Sequence, residues 1–179
     1  MSIVNQPSEI ELELTYLAVE LPEEIKKSKP KRLVDVYVPE SGVKHARLRL
    51  RQKGDSFEIT KKIPINEHDA SAHTEMTIPL DEAEFNALAL VSNKRVVKDR
   101  YNVYIEGYPA EVDVFCEELK GLVLIDFEFT SEEEKKAFKQ PSICLSDVTQ
   151  ENFIAGGLLA GKTYQDIEPE LKRFNYKEL

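Results

Sequence analysis

The sequence predicts an α+β fold: an antiparallel sheet of about eight strands with a few inserted helices and a helical C-terminal tail. Three observations predict it. Apolar and polar residues alternate with period two through most of residues 8–130. Short turns rich in Gly, Pro, Asp and Ser join the alternating runs, and short connections favour antiparallel neighbours. Capping signals and Gly-Gly spacing replace the alternation beyond Gln140. One domain over residues 1–179 is expected, with residues 131–179 packed on the strands of 8–130.

The elements follow in chain order. Ile10, Leu12 and Leu14 alternate with Glu11, Glu13 and Thr15. Pro22 to Lys27 reads as a short helix, and Leu33 to Val38 as a weaker strand ending at a reversal over Pro39 to Gly42. Ala46, Leu48 and Leu50 alternate with Arg47, Arg49 and Arg51, and Lys53-Gly54-Asp55-Ser56 makes a hairpin loop into Phe57 and Ile59, which alternate with Glu58, Thr60 and Lys62. Thr74 to Ile78 is a second weak strand. Asp81, with Glu84 three residues on, is a capping box for a helix to about Val91, with Phe85, Leu88 and Val91 as its apolar stripe. Val97, Tyr101, Val103 and Ile105 alternate with Lys98, Arg100 and Asn102, although Asp99 interrupts the apolar side. Turns at Glu106 to Pro109 and Leu119 to Gly121 bracket Ala110, Val112 and Val114, which alternate with Glu111 and Asp113. Val123, Ile125, Phe127 and Phe129 share a face opposite Asp126 and Glu128. In the tail, Thr130 with Glu133 starts a helix ending near Phe138, Thr149 caps a helix over 150–159, and Tyr164 to Phe174 is helical around Pro169.

Composition narrows the function. A chain of 179 residues can bury one sizeable core without disulfides. With 33 acidic against 24 basic residues, a net charge of -9 argues against a broad nucleic-acid face or a polybasic membrane patch. No apolar run approaches a membrane span, and Met1 to Asn5 lacks the basic start and apolar core of a signal peptide, so a cytoplasmic protein is expected. The two cysteines, Cys116 and Cys144, have no metal-ligand spacing and are expected as packed thiols. P-loop, dinucleotide-glycine and Gly-x-Ser-x-Gly strings do not occur.

The polar faces carry the functional signal, because each charge sign is concentrated in particular strands. Glu11, Glu13, Glu111, Asp113, Asp126 and Glu128 form an acidic set; Arg49, Arg51, Lys62, Lys98 and Arg100 form a basic one. An amphipathic strand ordinarily turns such a face to water. A barrel with these faces inside is the alternative, and it requires opposite signs, water or ions to compensate one another. Carboxylates bind Mg²⁺ or Mn²⁺ through oxygen, and Arg and Lys bind phosphate oxygens. Together they suit a metal-complexed polyphosphate.

In order along the chain, Glu11-Leu12-Glu13-Leu14-Thr15, Leu48-Arg49-Leu50-Arg51, Ile59-Thr60-Lys61-Lys62, Lys98-Asp99-Arg100-Tyr101, Glu111-Val112-Asp113, Asp126-Phe127-Glu128 and Gly161-Lys162-Thr163-Tyr164 resemble the blocks of the CYTH superfamily, the triphosphate tunnel metalloenzymes. The resemblance runs from about Glu9 to Tyr164. It implies a closed eight-stranded antiparallel barrel with the charges inside, and Mg²⁺- or Mn²⁺-dependent chemistry on a triphosphate-containing small molecule. Members include inorganic triphosphatases, thiamine triphosphatases and class IV adenylate cyclases. Three positions depart from the pattern. Thr15 stands where the family has Lys, Asp126 where Glu is commoner, and His73 where Arg is frequent.

The roles expected from this reading are as follows. Glu11, Glu13, Asp126 and Glu128 hold metal, with Glu75, Glu111 and Asp113 as secondary candidates. Arg49, Arg51, Lys62, Lys98, Arg100 and, from the tail, Lys162 bind the triphosphate. Glu13, Arg51 and Lys62 carry catalysis. Arg47 and Lys53 are expected at the tunnel mouth or in solvent, and His45, His68 and His73 as surface or strand residues without ligand spacing. The expected reaction is metal-dependent hydrolysis of tripolyphosphate or an organic triphosphate. A class IV-type cyclase and a non-catalytic polyphosphate or nucleotide binder stay open, the latter because Thr15 supplies a hydroxyl where the family has an ammonium.

Overall fold

A computed structural model describes residues 9–179. Residue 8 and the Met1 to Asn5 stretch lie outside the described residues. Every alternating run becomes a strand: β1 (Glu9–Ala18), β2 (Lys31–Val38), β3 (Leu48–Lys53), β4 (Ser56–Asn66), β5 (Asp69–Leu80), β6 (Arg95–Ile105), β7 (Tyr108–Phe115) and β8 (Val123–Phe129). All neighbours are antiparallel, in the order β5-β4-β3-β2-β6-β7-β8-β1, and β1 pairs back onto β5 over Glu9 to Leu12 to close the barrel. Closure removes both sheet edges. A ninth strand, β9 (Cys144–Asp147), pairs with β1 from Tyr16 to Ala18, where β5 has left that edge. The sequence analysis did not anticipate β9; four residues carry too little periodicity to be read.

The barrel turns its apolar faces outward. Leu12 and Tyr16 of β1, Val112 of β7, and Ile125, Phe127 and Phe129 of β8 form one buried cluster on the outside wall. Phe138 seats on it, 4.7 Å from Phe127 and 4.8 Å from Tyr108 between ring centroids. Phe138 follows α2 (Glu132–Ala137), whose N-cap is Ser131 rather than Thr130: the Ser131 hydroxyl accepts from Glu134 N, while Thr130 donates to the Glu134 carboxylate. On the opposite wall Val36, Val38 and Leu50 are covered by Phe85 of α1 (Glu82–Ala89). The Asp81–Glu84 capping box forms as expected. The helix stops at Ala89, and Leu88 and Val91 are exposed, so Phe85, with Ala89 partly buried beside it, anchors it. A 3-10 turn over Glu23–Lys27 occupies the first predicted helix.

The C-terminal segment closes one end of the barrel. Inward residues Leu17, Val96, Phe115 and Leu124 meet Leu159, Ile167 and Leu171 in a second apolar cluster. The predicted 150–159 helix is instead a 3-10 turn (Asn152–Ile154) and a single-turn α3 (Gly156–Leu159). Two contacts explain the break. The Thr149 hydroxyl is taken up by β1, accepting from Thr15 N at 3.0 Å and donating to Asp147 at 2.6 Å, so it caps nothing. Gly156 and Gly157 run so close to Tyr37 and Ala46 that a Cβ would lie 1.9 Å from the Tyr37 hydroxyl and 2.1 Å from the Ala46 carbonyl oxygen. Helix α4 (Tyr164–Lys172) follows, with Thr163 and Asp166 forming a capping box and Pro169 inside it.

Because the obstacle at Gly157 is backbone, Gly157→Ala is expected to destabilise the protein by about 1–3 kcal/mol, the usual cost of overpacking. Urea unfolding checks this: the midpoint should fall with the slope unchanged, and an unmoved midpoint contradicts the close approach.

Candidate active site

Strand parity brings the two charge sets together inside the barrel. β7, β8 and β1 are consecutive and contribute Glu111, Asp113, Asp126, Glu128, Glu11 and Glu13, in registers that set Glu13 opposite Glu128 and Glu111 opposite Asp126. β4, β3 and β6 contribute Lys62, Arg49, Arg51, Lys98 and Arg100 on the facing wall, interrupted at β2 by Asp35. The interior is therefore divided into an acidic half and a basic half. It encloses a cavity of about 250 Å³, lined among others by Glu13, Thr15, Arg49, Lys62, Lys98, Arg100, Asp113 and Asp126.

Ion pairs stitch the halves together. Lys62 bonds Glu11 and lies 3.5 Å from Glu75 and 3.9 Å from Glu13. Lys98 bonds Asp113. Arg100 bonds Glu111, grips Asp113 through Nε at 2.7 Å and Nη2 at 2.6 Å, and lies 3.6 Å from Asp126. Arg51 makes a bidentate pair with Asp35, both bonds 2.7 Å, at a site where both residues are buried. Arg49 differs: its nearest acid is Asp35 at 4.0 Å, and its Nε is buried without a hydrogen-bond partner.

The electrostatics follow from burial and neighbours. Burial would raise the Asp35 carboxyl, but Arg51 and Arg49 override it and hold it at about 2. Burial opposes Asp113 as well, and Arg100 and Lys98 pull it well below the usual carboxylate range. The acids away from these pairs go the other way. Burial, then Glu13 and Asp113, raise Asp126 to about 7. Burial outweighs Lys62 and raises Glu13, with Glu11 and Glu128 adding repulsion. Burial and the Glu111 and Glu11 charges raise Glu128. These crowded, mutually repelling carboxylates are an oxygen-donor set that a divalent cation relieves, so the residues present fit such an ion. Ligand atoms of Glu11, Glu13 and His73 lie within 4.8 Å of one another.

The predicted site residues are thus sorted by position. Arg49, Lys62, Lys98, Arg100, Glu13, Asp126 and Asp113 line the cavity. Glu11, Glu75 and Glu111 lie farther along the channel, held by Lys62 and Arg100, and Glu128 is exposed opposite Glu13. Arg51 and Lys162 do not line the cavity either. Arg51 is bound up with Asp35, and Lys162 sits at the end of α3, donating its backbone N–H to Leu159. Arg47 lines the cavity as an exposed residue, consistent with the mouth position expected for it. Thr15 turns its hydroxyl to Asp126 at 2.7 Å. The sequence analysis missed Asp35. Its signal was an acid flanked by Val34 and Val36 in a strand too apolar to face water. His73 is a strand residue of β5, as expected, and both it and His45 line the cavity; burial lowers both pKa values, helped by Arg47 and Lys62 respectively.

No family model matches the sequence. The inorganic triphosphatase of Nitrosomonas europaea is 29% identical over 152 residues, 84% of this chain and 96% of that protein. The crystal structure of the inorganic triphosphatase NE1496 matches with a TM-score of 0.62 at 27% identity, over 84% of this chain and 93% of that one. In sequence and in fold the chain is thus similar to inorganic triphosphatases. A conserved hypothetical protein from Pyrococcus furiosus shares the fold, with a TM-score of 0.51 and 18% identity over 71% of this chain and 83% of that chain. Among the described residues no helix is long and apolar enough to cross a membrane.

Removing one partner of a buried pair costs about 3–5 kcal/mol, whereas replacing both with apolar residues is often neutral. Asp35→Asn should therefore lower the urea midpoint at neutral pH far more than the double replacement Asp35→Leu with Arg51→Met, and equal losses would mean that packing, not charge, dominates. For Asp126 the folded value is about 7 against about 3.9 unfolded. Between about pH 4 and 7 the folded chain keeps a proton that the unfolded chain releases, so stability falls as pH rises through that window. Asp126→Asn should flatten that slope in chelator-treated protein, measured as urea midpoints from pH 4 to 8. A slope like the parent's would place the Asp126 carboxyl near its ordinary value.

Proposed function

We propose that this chain hydrolyses a compact triphosphate, inorganic tripolyphosphate first, with Mg²⁺ or Mn²⁺ held by carboxylates of the acidic half. The single observation that carries the reading is the closed interior split into facing acidic and basic walls, with the buried Nε of Arg49 free to donate. The similarity to a protein named inorganic triphosphatase supports it. So does size: about 250 Å³ is below the roughly 300–1,000 Å³ typical of drug-sized ligands, which suits a phosphate chain better than a nucleotide.

In this reading Arg49, Lys62, Lys98 and Arg100 bind phosphate oxygens and spread their charge, and Arg51 acts at one remove by holding Asp35. Glu11, Glu13, Asp126 and Glu128 hold the cation, with Glu75, Glu111 and Asp113 balancing the cationic wall. A divalent cation so bound neutralises phosphate charge and acidifies bound water. Water attacks the terminal phosphorus, the P–O–P bond breaks, and pyrophosphate leaves with its charge met by the cationic wall. Glu13, half-buried on the cavity wall, takes the proton from the attacking water through the carboxylate oxygen that the cation leaves free. Positioning and charge stabilisation supply the acceleration, and no covalent intermediate is needed. Thr15 favours a second reading, binding without turnover, because its hydroxyl is spent on Asp126 and brings no cation to the reacting phosphate.

Purified protein with tripolyphosphate, ATP or thiamine triphosphate, each with Mg²⁺, Mn²⁺ or chelator, tests the proposal. Phosphate release from tripolyphosphate, lost with chelator and with Glu13→Gln, is expected. Arg49→Ala should lower kcat/KM by about 10–100-fold, the worth of one charge-assisted hydrogen bond. Thr15→Lys should raise turnover. Cyclic AMP with pyrophosphate from ATP would mark a cyclase instead, and tight binding with no release would leave the binder.

A further inference from the structure

The geometry points to His73 as a metal ligand beside Glu11 and Glu13, which makes the cation site of this chain a mixed imidazole–carboxylate one. The inference rests on the reading above that these carboxylates hold a divalent ion, and it adds the nitrogen donor and the metal preference that nitrogen imposes. Closure of the barrel creates the site. The β1–β5 pairing puts Glu11 directly opposite His73, and Glu13 follows two residues on along the same inward face. One ligand atom from each of the three lies within 4.8 Å of the others, a spacing that a single ion can span.

Two further observations favour a ligand role over a packing one. The Nδ1 of His73 is buried with no hydrogen-bond partner, a cost that a core histidine ordinarily avoids. His73 also shares the cavity wall with Glu13, so an ion held there stays in reach of a phosphate in the cavity. Lys62 does not exclude the ion. It bonds Glu11 through Oε2, leaving Oε1 and the remaining lone pairs to coordinate.

Mg²⁺ takes oxygen ligands and holds its waters, whereas imidazole suits Mn²⁺, Co²⁺ and Zn²⁺ progressively better. An all-carboxylate site gives little reason to prefer these ions to Mg²⁺; this one does.

The experiment uses the full chain without substrate. Mn²⁺ is added, and nitrogen coupling to the bound ion is read by electron spin-echo spectroscopy, with Mn²⁺ and Mg²⁺ affinities from calorimetry. Parent protein should show one nitrogen coupling. His73→Gln should lose it and weaken Mn²⁺ by at least about tenfold, since even residues outside the ligand set change metal affinity about 10–100-fold. Mg²⁺ affinity should change far less. His45→Gln, the other cavity histidine, should keep the coupling. Mn²⁺ bound without nitrogen coupling in the parent protein, or coupling lost with His45→Gln instead, overturns the histidine ligand while leaving the carboxylate reading intact. Failure of Mn²⁺ and Mg²⁺ to bind at all overturns both.

Discussion

Pairing of buried opposite charges across a closed barrel is the constraint on which the rest of this molecule depends. A single carboxylate or guanidinium moved from water into protein costs several kcal/mol unless it is compensated. Here compensation is collective. Arg100 serves Glu111, Asp113 and Asp126, and Lys62 serves Glu11, Glu13 and Glu75. These two cations are each divided among three acids, so the acids around them are not all neutralised, and the raised values of Glu13, Asp126 and Glu128 are the residue of that shortfall. In the proposed reading, a metal-bound phosphate chain would bring the missing cation and occupy the shared guanidinium and ammonium groups together.

An interior given over to charge forces the apolar burial elsewhere. The outward faces of β1, β7 and β8 must be covered, and Phe138 and the segment after it do so; the β2–β3 wall needs α1 for the same reason. The helices are therefore required by the inverted barrel rather than added to it. The tail has a different task. By filling one end with Leu159, Ile167 and Leu171 it excludes water on that side, which strengthens every charge interaction inside. Gly156 and Gly157 set how close that closure can come.

Much of this was legible in the sequence, and the reason is period two. In β1, β3, β4, β6, β7 and β8 polar and apolar residues alternate strictly enough to fix which side chains share a face, and the resemblance turned that face inward. What escaped detection was non-local. Asp35 was not singled out, because its partner Arg51 is set by the β2–β3 register and not by spacing. Arg51 looked equivalent to Arg49, since both lie on one face of β3; only the neighbouring strand distinguishes a guanidinium consumed by Asp35 from one with a buried free donor. Thr149 had the right chemistry for a cap, and a backbone N–H from residue 15 claimed it first. His73 lies sixty-odd residues from Glu11 and meets it through ring closure, which no local pattern announces.

The charge balance of the interior bears on what can enter it. The inward acids Glu11, Glu13, Asp35, Glu75, Glu111, Asp113, Asp126 and Glu128 outnumber the inward cations Arg49, Arg51, Lys62, Lys98 and Arg100. A bare triphosphate entering this channel would add negative charge to an interior already short of positive charge, and in a low-dielectric space that repulsion is costly. Protonation offsets part of the excess, as the raised Asp126 indicates, but only at the lower pH values. A divalent ion offsets it at any pH. Thr15 brings no positive charge to this interior, so in the proposed reading the metal would supply more of the compensation. On this account cation and substrate should bind with positive coupling, each lowering the electrostatic cost of the other.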